Sequence, residues 1–219
     1  MSKPKVLLAI LTGIERHNWV NPELSVNLFN MARDPRFDVV YYPVFDARPW
    51  EAARNLTILA AKQVNADWLL SLDNDNFFGP RPHTPLDVIA AAKENQHVIG
   101  LTCGVGCPDS YALFPETRAG KADGAFREVD YVGGATLIVR KTVWQEIPQG
   151  PWFRWHHAPN NEVLSPSKGA CGEDVYFCQL VRQHGFKVWT HREQLAGHYR
   201  TTDITGMVHT MAQLTEAAK

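Results

Sequence analysis

The chain is short of the features that would place it at once. It has only four cysteines in 219 residues. Their positions, Cys103, Cys107, Cys171 and Cys178, contain no C-x2-C pair, which argues against both a disulfide scaffold and a structural zinc finger. No apolar run reaches the length of a membrane span. The run Val6 to Leu11 is too short for a signal-peptide core and has no small-residue cleavage site after it, so the expected location is the cytoplasm, or the host cytoplasm if the chain is viral. Charge is balanced, with 22 basic and 23 acidic side chains and a formal net charge of -1, so no global field recruits nucleic acid or anionic lipid. There is no G-x-G-x-x-G and no glycine-rich loop after the first apolar run, where only Leu11-Thr12-Gly13-Ile14 stands. Internal repeats and low-complexity tracts are also missing.

What is present is an ordinary globular composition, 45% hydrophobic and 21% charged, in a length that suits one domain. Val6 to Leu11 reads as a strand buried on both faces. A helix follows from Pro22, stopping near Pro35. Then come a strand from Phe37 to Phe45, a helix after Pro49 with Ala52, Leu56, Leu59, Ala60 and Val64 on its stripe, and a strand from Trp68 to Leu72. Pro85 to Asn95 reads as a helix and His97 to Thr102 as a strand. This alternation implies an α/β fold with a mostly parallel central sheet flanked by helices, whose ligands bind beyond the carboxyl ends of the strands. Thr12-Gly13, Asp46 and Asp73-Asn74-Asp75 all fall at such ends.

The second half is less regular. Val129 to Val139 carries Gly133-Gly134, and Pro148 to Pro166 reads as one long functional loop. Cys171 to His184 reads as a buried helix, and Lys187 to Thr190 as a short strand. The expected layout is one domain over 1–219: a nucleotide-binding half at 1–103, an acceptor and catalytic half at 104–200, and a tail at 201–219.

Several of these residues can carry chemistry. In Asp73-Asn74-Asp75, residues two apart on a strand end point the same way, so both carboxylates can converge on a divalent cation; the plain alternative is a turn that caps its own backbone. An EF-hand is excluded because Phe77 and Thr84 stand where oxygen ligands belong. Arg54 can grip a phosphate and Asn55 a base or ribose, or Arg54 can simply pack its stem on Trp50. Glu173 and Asp174 open the buried helix, where they serve either as a general base or as caps. Gly133-Gly134 exposes backbone beside a ligand or forms a bulge. Trp152, Phe153 and Trp155 can stack on a sugar or base, or anchor the loop.

Taken in order, Ala53-Arg54-Asn55, Leu72-Asp73-Asn74-Asp75, Tyr131-Val132-Gly133-Gly134-Ala135, Gly172-Glu173-Asp174 and the late His198 resemble the nucleotide-sugar glycosyltransferases of GT-A fold, of D-x-D type and family 2-like, over roughly residues 5 to 200. The resemblance implies that Asp73, Asp75 and His198 hold Mn2+ or Mg2+ on the donor diphosphate. Thr12, Gly13, Asp46, Arg54, Asn55 and Asn74 would surround the nucleotide, UDP being favoured. Gly133 and Gly134 would lie beside the donor sugar or acceptor, and Asp174 or Glu173 would act as base in an inverting displacement. The second strand ends Val44-Phe45-Asp46 without the Asp-Asp-Gly-Ser turn common in the largest branch, which leaves UDP versus GDP open. No membrane is expected as partner. The acceptor could be a hydroxymethylated pyrimidine in DNA, as small viral enzymes of this general type use, with Arg118, Lys121, Arg127, Arg154 and Lys168 touching phosphates; a saccharide, lipid or protein acceptor is the alternative. A sugar-1-phosphate nucleotidyltransferase or a non-catalytic sugar-nucleotide binder would share the architecture.

Overall fold

The computed structural model describes residues 2–12, 20, 22–78, 85–107, 110–114, 120–155 and 172–198, with the backbone alone described at 103–107, 110–114, 192–195 and 197–198. The strands are β1 Lys5–Leu11, β2 Asp38–Val44, β3 Trp68–Asp73, β4 Asn76–Phe77, β5 Val98–Cys107, β6 Ser110–Phe114, β7 Ala122–Asp123, β8 Phe126–Val129, β9 Thr136–Arg140 and β10 Val188–His198. The helices are α1 Pro22–Ala32, α2 Trp50–Gln63, α3 Pro85–Ala91, α4 Lys141–Glu146 and α5 Glu173–Gln183.

One sheet runs in the order β2-β1-β3-β9-β5-β10-β8-β7, with β4 added to β10 and β6 to β5. Strands β2, β1 and β3 pair in parallel, β9 is antiparallel to both of its neighbours, and β5 pairs in parallel with β10. Five strands of the core therefore point one way, with β9 reversed among them.

The alternation along β1 explains its unbroken apolar sequence. Leu7, Ala9 and Leu11 face a core shared with Ala53, Ile58 and Ala61 of α2 and Phe177, Cys178 and Val181 of α5. Val6, Leu8 and Ile10 face a second core with Leu24 and Met31 of α1 and Leu86, Val88 and Ile89 of α3. Both faces of the strand are covered by helices, so every position must be apolar. Each fully buried Leu or Ile contributes about 1.5–3 kcal/mol relative to exposure.

The register brings the functional ends level. Leu11 lies beside both Val44 and Asp73, so Thr12, Asp46 and the Asp73–Asp75 turn emerge at one edge of the sheet. Helices α2 and α5 pack on one face and both begin at this edge, which delivers Arg54, Glu173 and Asp174 to the same crevice.

One expected strand end moves and two other readings gain detail. Gly133-Gly134 lies in the connection from β8 to β9, just before the start of β9, and Gly134 bonds to side chains instead of a ladder. The strand expected to stop at Thr190 continues to His198, antiparallel to β4 at its end, with Gly197 beside Phe77 and His198 beside Asn76. The expected loop from Pro148 is packed in its described part: Trp152 and Phe153 are buried, Phe153 stacks on Phe177 at 4.4 Å, and Trp152 Nε1 donates to the Ile147 carbonyl. Loop anchoring, not ligand stacking, is their role.

Candidate active site

Arg54 is the centre of the crevice. It sits in the second turn of α2 and is 4% exposed. Its Nε donates to Glu173 Oε1 at 3.2 Å and its Nη1 to the Gly134 carbonyl at 2.9 Å. Its Nη2 donates to Asp73 Oδ1 at 3.1 Å and Oδ2 at 3.4 Å. A buried guanidinium with partners on three sides fixes them relative to one another, since its fork is rigid. Burial works against its positive charge, but Asp73, Glu173 and Asp174 outweigh this and hold its pKa above the ordinary value.

The carboxylates divide by environment. Glu173 is buried and tied to Arg54. Asp174 is half-buried and held by two backbone donors, Gly134 N–H to Oδ2 at 3.1 Å and Val175 N–H to Oδ1 at 2.7 Å. Burial first, then the negative charge of Glu173, raises its pKa, against the opposing pull of Arg54 and the backbone donors. Of the two acids, Asp174 has the setting of a base and Glu173 that of a counter-ion.

Burial also pushes the Asp73 carboxyl up to about 6; Arg54 opposes the shift while Asp75 and Glu173 add to it. Asp73, Glu173 and Asp174 thus surround one buried cation, and Asp75 adds its negative charge beside Asp73. The turn is braced from behind by Asn76, fully buried, whose Nδ2 donates to the carbonyls of Asp73 and Ala135. Nothing in the sequence singles out Asn76; only the pairing of β3 with β9 gives it a second carbonyl to hold. Among the described side chains no group of three or more His, Cys, Asp and Glu forms a ready metal cage. The His198 side chain lies outside them, although its backbone position beside Asn76 puts it next to the turn.

The remaining expected residues sort clearly. Asn74 is buried, its N–H donating to the Leu11 carbonyl. Thr12 is buried and its hydroxyl donates to the Val44 carbonyl, closing the ends of β1 and β2 together. Asp46 is exposed at the crevice edge with φ 51°. Gly133 is half-buried, and Gly134 bridges Arg54 and Asp174 through its carbonyl and N–H. A Cβ on Gly134 would stand 2.5 Å from the Arg54 guanidinium, so glycine is required for close approach. Gly13 lies outside the described residues.

Asn55 is a correction. Its Nδ2 donates to the carbonyls of Glu51 and Phe153, and its Oδ1 accepts from the N–H groups of Trp152 and Phe153. All four capacities of the amide are engaged, so it clamps the Trp152-Phe153 segment to α2 instead of facing a nucleotide. Replacing Asn55 by Ala should cost about 2 kcal/mol, because two loop donors lose their acceptor. Urea unfolding checks this, and a cost near zero would mean that water satisfies them equally well.

The layer order, the reversed β9 and the acidic turn at the strand ends define a GT-A-like α/β fold. Neither a protein-family model nor a curated protein matches the chain by sequence. Solved structures match it in shape. A197 from STIV aligns over 90% of this chain and 86% of that one, with TM-score 0.57 and 16% identity. The mannosyltransferase PcManGT from Pyrobaculum calidifontis, solved with GDP-Man and Mn2+, aligns over 90% of this chain and 57% of that one, with TM-score 0.51 and 11% identity. At such identities the likeness is one of fold. Among the described residues no helix is long and apolar enough to cross a membrane.

Proposed function

We propose that this chain is a metal-dependent glycosyltransferase that moves a sugar from a nucleotide-sugar donor, UDP-sugar favoured, to an acceptor hydroxyl with inversion. One observation carries the reading: Asp73 of the acidic turn and Asp174 meet around buried Arg54 at the carboxyl ends of the strands, with the backbone of His198 beside that turn at Asn76. The shared fold with a GDP-Man- and Mn2+-bound mannosyltransferase supports it.

Asp73 and Asp75, with His198, would hold Mn2+ or Mg2+. When bound, such an ion balances the negative charge that develops on the diphosphate leaving group. Arg54 keeps Asp73 in place. Thr12 and Asp46 border the nucleotide. Asp174, fixed by Gly134 and Val175, takes the proton of the acceptor hydroxyl as its oxygen bonds to the anomeric carbon; the bond to the diphosphate breaks and its electron pair leaves with the nucleotide. Retained anomeric configuration in the product would exclude this single displacement.

DNA as acceptor draws no support from the cations that are described. Lys121 lines a cavity at the start of β10 and Arg127 pairs with Thr190, both toward the end of the sheet away from Asp174. Arg154 is exposed near the site, while Arg118 and Lys168 lie outside the described residues. A cytoplasmic location stays part of the proposal.

Thermal unfolding with UDP or GDP, with and without Mn2+, tests the donor site. A nucleotide at 100 times its Kd should stabilise by about 2.7 kcal/mol, roughly 5–10 °C for a chain of this size, only when metal is present. Asp75→Asn should abolish the shift. A chain that ignores nucleotide and metal alike is not such a transferase.

A further inference from the structure

Asn76 is connected to each of the three residues assigned to the metal. It follows Asp75 in the chain, bonds to the Asp73 carbonyl, and stands opposite His198 where β4 pairs with β10. Its side chain is fully buried. Both hydrogens of Nδ2 are used, one on the Asp73 carbonyl at 3.1 Å and one on the Ala135 carbonyl at 3.0 Å, and the Thr136 hydroxyl lies 3.5 Å from Oδ1. Backbone bonds hold the entry to the turn: the Asp73 N–H donates to the Ala135 carbonyl at 2.9 Å and the Asn74 N–H to the Leu11 carbonyl at 3.1 Å. The Asn76 amide holds the exit, closing the turn from residue 76 back to residue 73 and across to the start of β9. It therefore ties together three strands at the points where β3 ends, β9 begins and β10 ends. A primary amide suits this position because it offers two donors in one plane, where a hydroxyl offers one and a methyl none.

We infer that Asn76 is a positioning residue for the metal, which sets the placing of Asp73 and Asp75 relative to each other and to His198, and so governs metal affinity without touching ion or substrate. The inference rests on the transferase reading and extends it to a residue behind the ligands. Groups that orient metal ligands from behind are worth about 10- to 100-fold in affinity, because ligands free to turn must be ordered when the ion arrives. The bonds from Nδ2 do this for the backbone that carries both carboxylates.

The test titrates the full chain with Mn2+ well below its melting temperature and reads the loss of the free-ion EPR signal. The metal is added alone and with UDP or GDP, each against a protein-free blank. Asn76→Ala should raise the Kd for Mn2+ about 10- to 100-fold. Asn76→Ser should recover part of this, since a hydroxyl can still donate to the carbonyl three residues back. Asn55→Ala, which loses stability at the Trp152-Phe153 clamp instead of the turn, should leave the Kd for Mn2+ unchanged. A merely structural Asn76 would lower the melting temperature and leave the Kd of the folded chain at the wild-type value; that result, or equal weakening by Asn55→Ala, overturns the inference and leaves the transferase reading standing. If Asn76→Ala does not fold, Asn76→Ser decides by a Kd that is raised or not. A wild-type chain that takes up no Mn2+ in any of these mixtures removes the transferase reading and this inference with it.

Discussion

Replacing Asp174 by Asn is expected to lower kcat by about 10²- to 10⁴-fold, the range of general base catalysis, while the metal-dependent nucleotide shift stays in place. The amide keeps the size of the carboxylate, and its oxygen can still accept one of the two bonds from Gly134 and Val175 that hold the side chain. What it cannot do is take a proton. The pH dependence follows with a definite sign. A base must be ionised to act, and burial together with Glu173 raises the Asp174 pKa. Turnover should therefore fall as pH drops through a value above that of a free aspartate. Single-turnover assays of sugar transfer against pH provide the measurement, and undiminished turnover in the Asn variant would reject Asp174 as the base.

Arg54→Met is expected to cost about 3–5 kcal/mol of stability, the usual result of removing one partner from a buried ionic network. The side chain is nearly inaccessible and balances Asp73 and Glu173 directly. Its loss leaves these carboxylates without a counter-ion and the Gly134 carbonyl without its donor. Arg54→Lys should recover only part, because one ammonium cannot reproduce the fork that reaches Glu173, Gly134 and Asp73 together. Denaturant unfolding of both variants checks the ranking. A loss below about 1 kcal/mol for Met would mean that solvent reaches the carboxylates and the network is not what positions them.

The first half of the fold was readable because a strand covered on both faces is apolar along its length, as Val6 to Leu11 is and as Trp68 to Leu72 is apart from Ser71. The second half hid its order. Strand β10 runs on through Arg192-Glu193-Gln194, which no apolar pattern marks, and α4 is a six-residue helix too short to show a period. The direction of β9 is likewise invisible locally, since Thr136 to Arg140 would read the same either way.

At the site, residue types were legible and partners were not. Arg54 and Asn55 are adjacent and both polar, which suggested a shared ligand. One residue of helical rotation separates them, so one points to the carboxylates and the other to the backbone of Trp152 and Phe153. Glu173 and Asp174 differ in the same way. No local pattern distinguishes the acid that neutralises Arg54 from the acid left half-open.

The separation of Arg54 from its partners also has a history in synthesis. Asp73 follows it by 19 residues, Gly134 by 80 and Glu173 by 119. At roughly 5–20 residues per second, a ribosome delivers Glu173 about 6–24 s after Arg54. During that interval the nascent guanidinium has Asp73 as its one native carboxylate partner, joined later by the Gly134 carbonyl. The set of carboxylates around Arg54 is completed only when α5 docks, so a ribosome stalled before Gly172 holds a chain that lacks both Glu173 and Asp174.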